Sequence, residues 1–109
     1  MATTYKVLGQ SNPSATTATT LYTVPSATST VLSTATICNQ ASTAGTFRLA
    51  VRPAGASLAA QHYIAYDTPI AANDTVALTL GLTLATTDVV TIYASSANMS
   101  FAAFGSEIS

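Results

Sequence analysis

The feature that most constrains the fold is a series of short runs rich in Thr, Val, Ile, Leu and Tyr, separated by turn residues. Such residues favour the pleated, half-buried surface of a strand, and from residue 19 onward a turn signal recurs roughly every ten residues. No stretch combines helical spacing of apolar residues with capping signals, although residues 57–61 are compatible with a single helical turn. The pattern predicts an all-β, single-domain antiparallel β-sandwich or jelly-roll-like barrel of about seven to eight strands.

Several of these runs alternate between apolar and polar positions, which indicates strands with one face on the core. The predicted inward positions are Val31, Ala35 and Ile37 in residues 28–39, Phe47, Leu49 and Val51 in residues 46–52, Val76, Leu78 and Leu80 in residues 75–80, Val90 and Ile92 in residues 89–94, and Met99, Phe101 and Ala103 in residues 99–104. The alternation therefore predicts a core as well as a fold class.

The start of the chain differs from the rest. Residues 9–18 are low in complexity and lack large apolar side chains, so they can contribute little to a core. We therefore predict that residues 1–18 are a polar N-terminal arm, either disordered or folded on a neighbouring molecule, with Tyr5, Val7 and Leu8 as a candidate short strand or anchor. The sandwich domain is predicted for residues 19–109.

Charged residues are scarce. They make up 6% of the chain and leave a net charge of -1, whereas Thr occurs 20 times and Ala 21 times; a globular chain averages about 25% charged residues. A surface of Thr, Ala and Tyr costs little to desolvate, because few full charges lose their water. We interpret it as a surface that a partner covers, and the alternative is a neutral monomer wetted by Thr hydroxyls.

The same composition argues against two classes of partner. Three Lys and Arg residues are too few to neutralise a phosphate backbone, so no nucleic-acid binding is predicted. A membrane span needs about 20 consecutive apolar residues, and the apolar runs here are far shorter, so no membrane association is predicted either. The N-terminus lacks the pattern of a signal peptide, and we expect synthesis in a cytoplasm.

The sequence offers little for chemistry, and we predict a non-enzyme with no catalytic residues, no cofactor and no metal. The single histidine, His62, has no nucleophile-elbow serine to serve, and it is expected at a strand end facing solvent or a neighbour. Asp67, Asp74 and Asp88 fall in turns or at strand ends, where they are expected to accept bonds from backbone N–H groups. Cys38 is expected to be a small buried apolar residue. Two alternatives remain: a small hydrolase built on His62, and a calcium site formed by the loop carboxylates, which lack the D-x-D-x-D-G spacing of a specific site.

Two arginines are the strongest interface candidates. Arg48 and Arg52 lie four residues apart in one predicted strand, so they share a face at a separation of about 13 Å. Arg is enriched at protein interfaces because its planar fork makes directional bonds. The alternative is a pair of surface ion pairs, to Asp67 or Asp88.

Tyrosines complete the set of candidates. Tyr63 and Tyr66 lie on the next predicted strand and suit an interface as amphipathic contact residues, and Tyr5 is a further candidate in the arm. Exposed aromatic rings beside polar groups would also suit sugar binding, for which Tyr22 and Tyr93 are additional candidates, although the chain has no Trp.

Several segments combine strand and turn signatures in a distinctive order. They are residues 21–25 (LYTVP), 37–39 (ICN), 47–55 (FRLAVRPAG), 62–67 (HYIAYD), 70–76 (IAANDTV) and 104–108 (FGSEI). Together, over residues 19–108, they resemble small virion proteins of tailed bacteriophages, cyanophages in particular. None of them is a catalytic motif, so no functional residue is carried over from that family.

The resemblance implies a structural β-sandwich that decorates the virion. We expect a capsid cement, or decoration, protein on the capsid exterior, made in the host cytoplasm. Its partners would be the major capsid protein and copies of itself in a homo-oligomer, with a homotrimer expected, and the arm would reach onto the shell or an adjacent subunit. The alternative is a tail, baseplate or fibre-associated protein with receptor or carbohydrate binding.

Overall fold

The computed structural model describes residues 2–109 as eight strands in two four-stranded antiparallel sheets packed face to face. The strands are β1 (Thr3–Ser11), β2 (Thr19–Thr23), β3 (Ser29–Asn39), β4 (Gly45–Arg52), β5 (Tyr63–Ile70), β6 (Thr75–Leu84), β7 (Val89–Ala94) and β8 (Met99–Ile108). The first sheet has the order β1-β8-β3-β6 and the second sheet the order β2-β7-β4-β5. The predicted β-sandwich is confirmed, and over the described residues the sheets do not close into a barrel.

The core lies between the two inner faces. Phe47 of the second sheet meets Phe101 of the first edge to face, with ring centroids 6.4 Å apart. The predicted inward positions of residues 89–94 and 99–104 are all buried, and Phe47 and Leu49 are buried in β4. Ala50, which alternation places on the outer face, is also only 1% exposed because its cross-strand neighbours Tyr63 and Thr91 cover it.

The longest strand, β3, departs from the predicted alternation. Its pairing with both neighbouring strands shifts register around Ser33, which is an extra residue opposite β8. Such a bulge reverses the phase of alternation along a strand. Leu32, fully buried, therefore shares the core face with Ala35 and Ile37, and the prediction that Val31 does so was wrong.

The chain start was predicted to be an arm over residues 1–18 with a candidate short strand around Tyr5, Val7 and Leu8, and that strand forms as β1 in the first sheet. β1 pairs with β8 along its whole length, and Ala2 and Ser109 exchange backbone hydrogen bonds of 2.8 and 2.9 Å beyond its end. The side chain of Leu8, at a bulge, enters the core. An edge strand can form through backbone hydrogen bonds to one neighbouring strand, with few side chains in the core. A polar composition therefore does not prevent the chain start from forming a strand. Met1 lies outside the described residues.

Candidate interaction surfaces

The outer face of the second sheet carries a cluster built around Arg48. We call it the arginine–tyrosine cluster: Arg48, Tyr63, Tyr66, Asp67 and Tyr93. The Cζ atom of Arg48 lies 4.2 Å from the ring centroid of Tyr66 and 4.1 Å from that of Tyr93, so the guanidinium is stacked between two rings. Tyr63 packs edge-on against Tyr66, with ring centroids 4.8 Å apart. The cluster thus joins side chains of three adjacent strands.

An ion pair completes the cluster. Nε of Arg48 donates to Oδ1 of Asp67 at 2.7 Å, and its Nη2 donates to Oδ2 at 3.4 Å. The hydrogen bond that Arg48 donates to Asp67 is the main reason that the pKa of the guanidinium is raised, and Arg48 is a permanent cation. The predicted alternative of a surface ion pair is confirmed for these two residues. Whether the cluster also meets a partner stays a prediction.

Local irregularity of β5 positions the cluster. Arg48 and Tyr93 are direct cross-strand neighbours on β4 and β7. The pairing of β5 with β4 shifts register between the residues opposite Leu49 and Phe47, which is where Tyr66 and Asp67 lie. Asp67 has a φ of 47°, a left-handed conformation that aspartate adopts more readily than most residues. Because of this bulge, two consecutive side chains both reach Arg48.

Arg52 acts differently from Arg48. Its Nε donates to Oγ1 of Thr91 at 3.0 Å, and its Nη1 donates to the carbonyl oxygens of Ala56 at 3.0 Å and Gly55 at 3.4 Å. These bonds hold the loop that follows β4 against the sheet. The predicted alternative of an ion pair between Arg52 and an aspartate was wrong, because the guanidinium bonds to neutral acceptors.

His62 is buried, with 8% of its surface exposed. Its Nδ1 accepts a hydrogen bond of 3.0 Å from the backbone N–H of Ala59, which closes the 3-10 turn Ala60–His62. The prediction that His62 faces solvent or a neighbour was therefore wrong. The turn folds the ring back over its own backbone, a short-range contact that strand alternation does not reveal.

The other polar candidates serve the fold. Asp88 accepts two backbone N–H bonds of 2.9 Å from separate loops, and Asp74 accepts one of 2.8 Å from Thr75, so the prediction for these two aspartates is confirmed. Cys38 is half-buried on the outer side of β3, not fully buried as predicted. Within residues 2–109, no three His, Cys, Asp or Glu side chains group closely enough to hold a metal ion.

A groove adjoins the arginine–tyrosine cluster. It has a volume of about 590 Å³ and is lined by Leu58, Ala59, Ala60, Tyr63 and Tyr66. Tyr66 is 58% exposed, so one part of its ring contacts the arginine while another is open to solvent. The groove therefore offers an aromatic wall to a ligand.

The outer face of the first sheet has the opposite character. We call it the uncharged face, and the strand registers define its members. They are Thr3, Tyr5, Val7 and Gln10 on β1, Ser100, Ala102, Phe104, Ser106 and Ile108 on β8, Ser29, Val31, Thr34, Thr36 and Cys38 on β3, and Thr75, Ala77, Thr79 and Thr83 on β6. None of these residues is charged, although four strands contribute to the face.

An apolar strip crosses this face. Tyr5 is 84% exposed and Val7 47% exposed, and both lie beside Phe104 and Val31 along a groove of about 500 Å³, which Lys6 of β1 also lines. Gly105 lets the strands approach, because a Cβ at that position would clash with the backbone carbonyl of Val31. Tyr5 thus lies on the opposite side of the molecule from the other interface candidates.

The ion pair of the first sheet, between Lys6 and Glu107, lies on the inner side of the sheet at one end of the sandwich. Nζ of Lys6 lies 3.2 Å from Oε1 of Glu107, and the hydroxyl of Tyr22 donates to Oε2 at 2.5 Å while it accepts a bond of 2.8 Å from Thr30. Burial, and next the bond to Glu107, raises the pKa of Tyr22 to about 12. The bond from Tyr22, and also that from Lys6, lowers the pKa of Glu107.

The structure thus brings together Arg48, Tyr63 and Tyr66 among the predicted interface residues, and it separates them from Tyr5 and from the loop-bound Arg52. The sequence prediction missed Tyr93 as a member of the cluster. Alternation did place Tyr93 on the face opposite Ile92, but only the pairing of β4 with β7 brings it beside Arg48.

Comparisons with protein-family models, with curated proteins and with solved structures give no significant match for this chain. Among the described residues, no helix has the length and apolar character needed to cross a membrane.

Proposed function

We propose that this chain is a structural protein of a tailed-phage virion, a cement protein that binds the outside of the assembled capsid shell as an oligomer. The observation that carries the proposal is the uncharged face with the exposed strip around Tyr5. The sequence resemblance to small virion proteins supports the same conclusion.

The chemistry of the uncharged face suits docking onto another protein. Desolvating hydroxyl and methyl groups costs far less than desolvating full charges, so such a face can be covered with little penalty. Tyr5 and Val7 then contribute roughly 25 cal/mol for each Å² of apolar surface that the contact removes from water. Tyrosine also offers its hydroxyl to a partner at the margin of the contact.

The mechanism would be thermodynamic. A protein that binds the assembled shell and not the loose subunit stabilises the assembled state by mass action. An oligomer that bridges several shell subunits strengthens weak individual contacts through multivalency. No catalytic step is needed.

The test is co-sedimentation of the purified protein with DNA-filled, tail-free heads of the phage that encodes it. We expect binding that saturates at a stoichiometry comparable to the number of capsid subunits. Tyr5→Ala should weaken binding about tenfold, as expected for loss of an aromatic anchor, whereas the matched variant Tyr66→Ala should bind like the unmodified chain. Absence of binding to heads would contradict the proposal.

A second candidate is a tail, baseplate or fibre-associated protein that binds a receptor or carbohydrate. The groove beside Tyr63 and Tyr66 favours it, because an aromatic wall next to the Asp67 carboxylate is a suitable setting for a sugar ring. Recovery of the protein in isolated tails, together with glycan binding that Tyr66→Ala abolishes, would support this candidate over the first.

A further inference from the structure

The sandwich has four open strand edges, and three of them are protected against pairing with another chain. β1 carries Lys6 and a bulge at Leu8, β2 has only five residues and a register shift, and β5 contains Asp67 and Pro69 together with its own register shifts. Charges, prolines and bulges are the usual means by which proteins block edge pairing. β6 (Thr75–Leu84) has ten residues with neither a charge nor a proline, and its own register shift, around Gly81, leaves residues 75–79 regularly paired with β3.

β6 also leaves part of the core uncovered. Its inward side chains Val76, Leu78, Leu80 and Leu82 pack against the core but are only partly buried, whereas Leu32 on the adjacent strand is fully buried. The two edges of the first sheet differ in their surroundings. At one edge β1 contacts β2 of the second sheet, whereas at the other edge the main contact of β6 is with β3 of its own sheet. The edge therefore presents unpaired backbone groups beside a row of partly exposed apolar side chains.

We propose that β6 pairs with β6 of a second copy of this chain, antiparallel about a two-fold axis perpendicular to the sheet. This axis keeps both apolar rows on the same side and both Thr rows on the other, so that two first sheets become one continuous sheet. No charge opposes its own copy, which would otherwise weaken the pairing. The contact is isologous and closes on a dimer.

The strand that pairs with the open edge of β6 can be identified from the side chains that this edge accepts. A partner strand must alternate large apolar with small uncharged side chains and must have neither charge nor proline. Of the four edge strands, only β6 itself meets both conditions. Gly81, with a φ of 62°, interrupts the extended backbone, so the pairing centres on residues 75–80.

The dimer goes beyond the proposed function, and its formation does not depend on capsid binding. One consequence does rest on the proposed function: the two uncharged faces would lie side by side and act as one bivalent docking surface. The pairing also gives a dimer where the sequence resemblance implied a trimer, so the mass of the purified protein separates the two assemblies.

The first test is sedimentation equilibrium of the purified chain without capsids. We expect a mass of twice 11.0 kDa. Thr79→Lys places a charge on the edge and should raise the dimer dissociation constant at least about tenfold. Thr20→Lys, at a threonine of β2 that is also exposed, should leave the dissociation constant unchanged. A monomer or trimer for the unmodified chain, or equal dissociation constants for the two variants, would overturn the proposal.

A second test does not depend on how well the lysine variant folds. Single cysteines are placed in turn at residues 75–80 in a Cys38→Ser background, and disulfide dimers are scored after mild oxidation. The residue on the two-fold axis faces its own copy at a distance that a disulfide can span. We expect one position to give efficient cross-linking and Thr20→Cys to give none; no cross-linking at any of these positions would overturn the pairing. Head binding is not measured in either test, so a failure here leaves the proposed function standing.

Discussion

The two outer faces of this sandwich differ in how many of their side chains stack on or hydrogen-bond to other groups of the same chain. On the second sheet, Arg48 is stacked between two tyrosines and paired with Asp67, and Arg52 is bonded to a threonine and a loop. On the uncharged face, Tyr5 projects from an edge strand with 84% of its surface exposed. The first arrangement is complete within one chain, and for the second face we propose that a partner covers Tyr5.

The other charged side chains are bonded within the chain in the same way as Arg48 and Arg52. The seven Lys, Arg, Asp and Glu side chains all make a hydrogen bond within the chain. Charge in this protein therefore serves the fold, by closing loops and joining strands. We infer that recognition is left to neutral side chains, which is consistent with a surface that a large partner covers.

The largest effect should come from breaking the core that holds the two faces together. Phe47→Ala removes the ring that meets Phe101 and should lower the free energy of unfolding by about 3–5 kcal/mol. Because a domain of this kind is stable by only about 5–15 kcal/mol, the variant should be largely unfolded at raised temperature. Urea denaturation followed by circular dichroism measures the loss, and a change below about 1 kcal/mol would contradict the described core.

The next effect concerns pH and lies at the end of the sandwich. The pKa of Tyr22 is raised from the usual 10.0 to about 12, so above pH 10 the unfolded chain loses this proton while the folded chain keeps it. Stability should therefore be complete below pH 10 and fall as the pH rises through 12. Tyr22→Phe, which has no hydroxyl to ionise, should lose this part of the alkaline dependence in urea titrations. The same slope in both proteins would contradict the assignment.

Glu107 gives the corresponding effect in acid. Its pKa is lowered from 4.5, so the unfolded carboxylate takes up a proton at a higher pH than the folded one. The stability it contributes is present above pH 4.5 and is lost as the pH falls through the lower folded pKa. Glu107→Gln should flatten the acid limb of a stability profile. An unchanged acid limb would show that the bonds from Tyr22 and Lys6 do not favour the ionised form.

A smaller effect separates the two faces directly. Arg48→Ala removes the stacked cation and leaves Asp67 without its partner, so the melting temperature should fall by a few degrees. Arg48→Lys keeps the charge but not the planar fork, and it should recover only part of the loss. Differential scanning calorimetry measures both variants. Full recovery by lysine would mean that charge alone, and not stacking, holds the cluster.

The smallest effect on folding is expected at Tyr5. Tyr5→Ala should change the free energy of unfolding by less than about 0.5 kcal/mol, because an exposed side chain with few intrachain contacts contributes little. If urea denaturation instead gives a loss as large as that from Phe47→Ala, Tyr5 is a structural residue and the contrast between the faces fails.

The sequence predicts the fold class and most of the inward positions well, because alternation is a local property that a half-buried strand imposes. It fails at Val31, where a bulge reverses the alternation, and at His62, whose ring turns back onto Ala59. Tyr5, Val7 and Leu8 were predicted as a candidate short strand within a polar arm, but the place of this strand in the sheet comes from backbone bonds to β8 that composition does not encode. Tyr93 was missed as a neighbour of Arg48 because that contact depends on strand order.

A pair of matched lysine variants can show whether the uncharged face docks onto a partner. Thr36 lies in the middle of that face, and Thr20 lies on the outer face of the second sheet. Binding of each variant to tail-free heads should be measured by co-sedimentation against the unmodified chain. We expect Thr36→Lys to weaken binding to heads at least about tenfold and Thr20→Lys to bind like the unmodified chain. Equal binding by both variants, or a loss confined to Thr20→Lys, would contradict it.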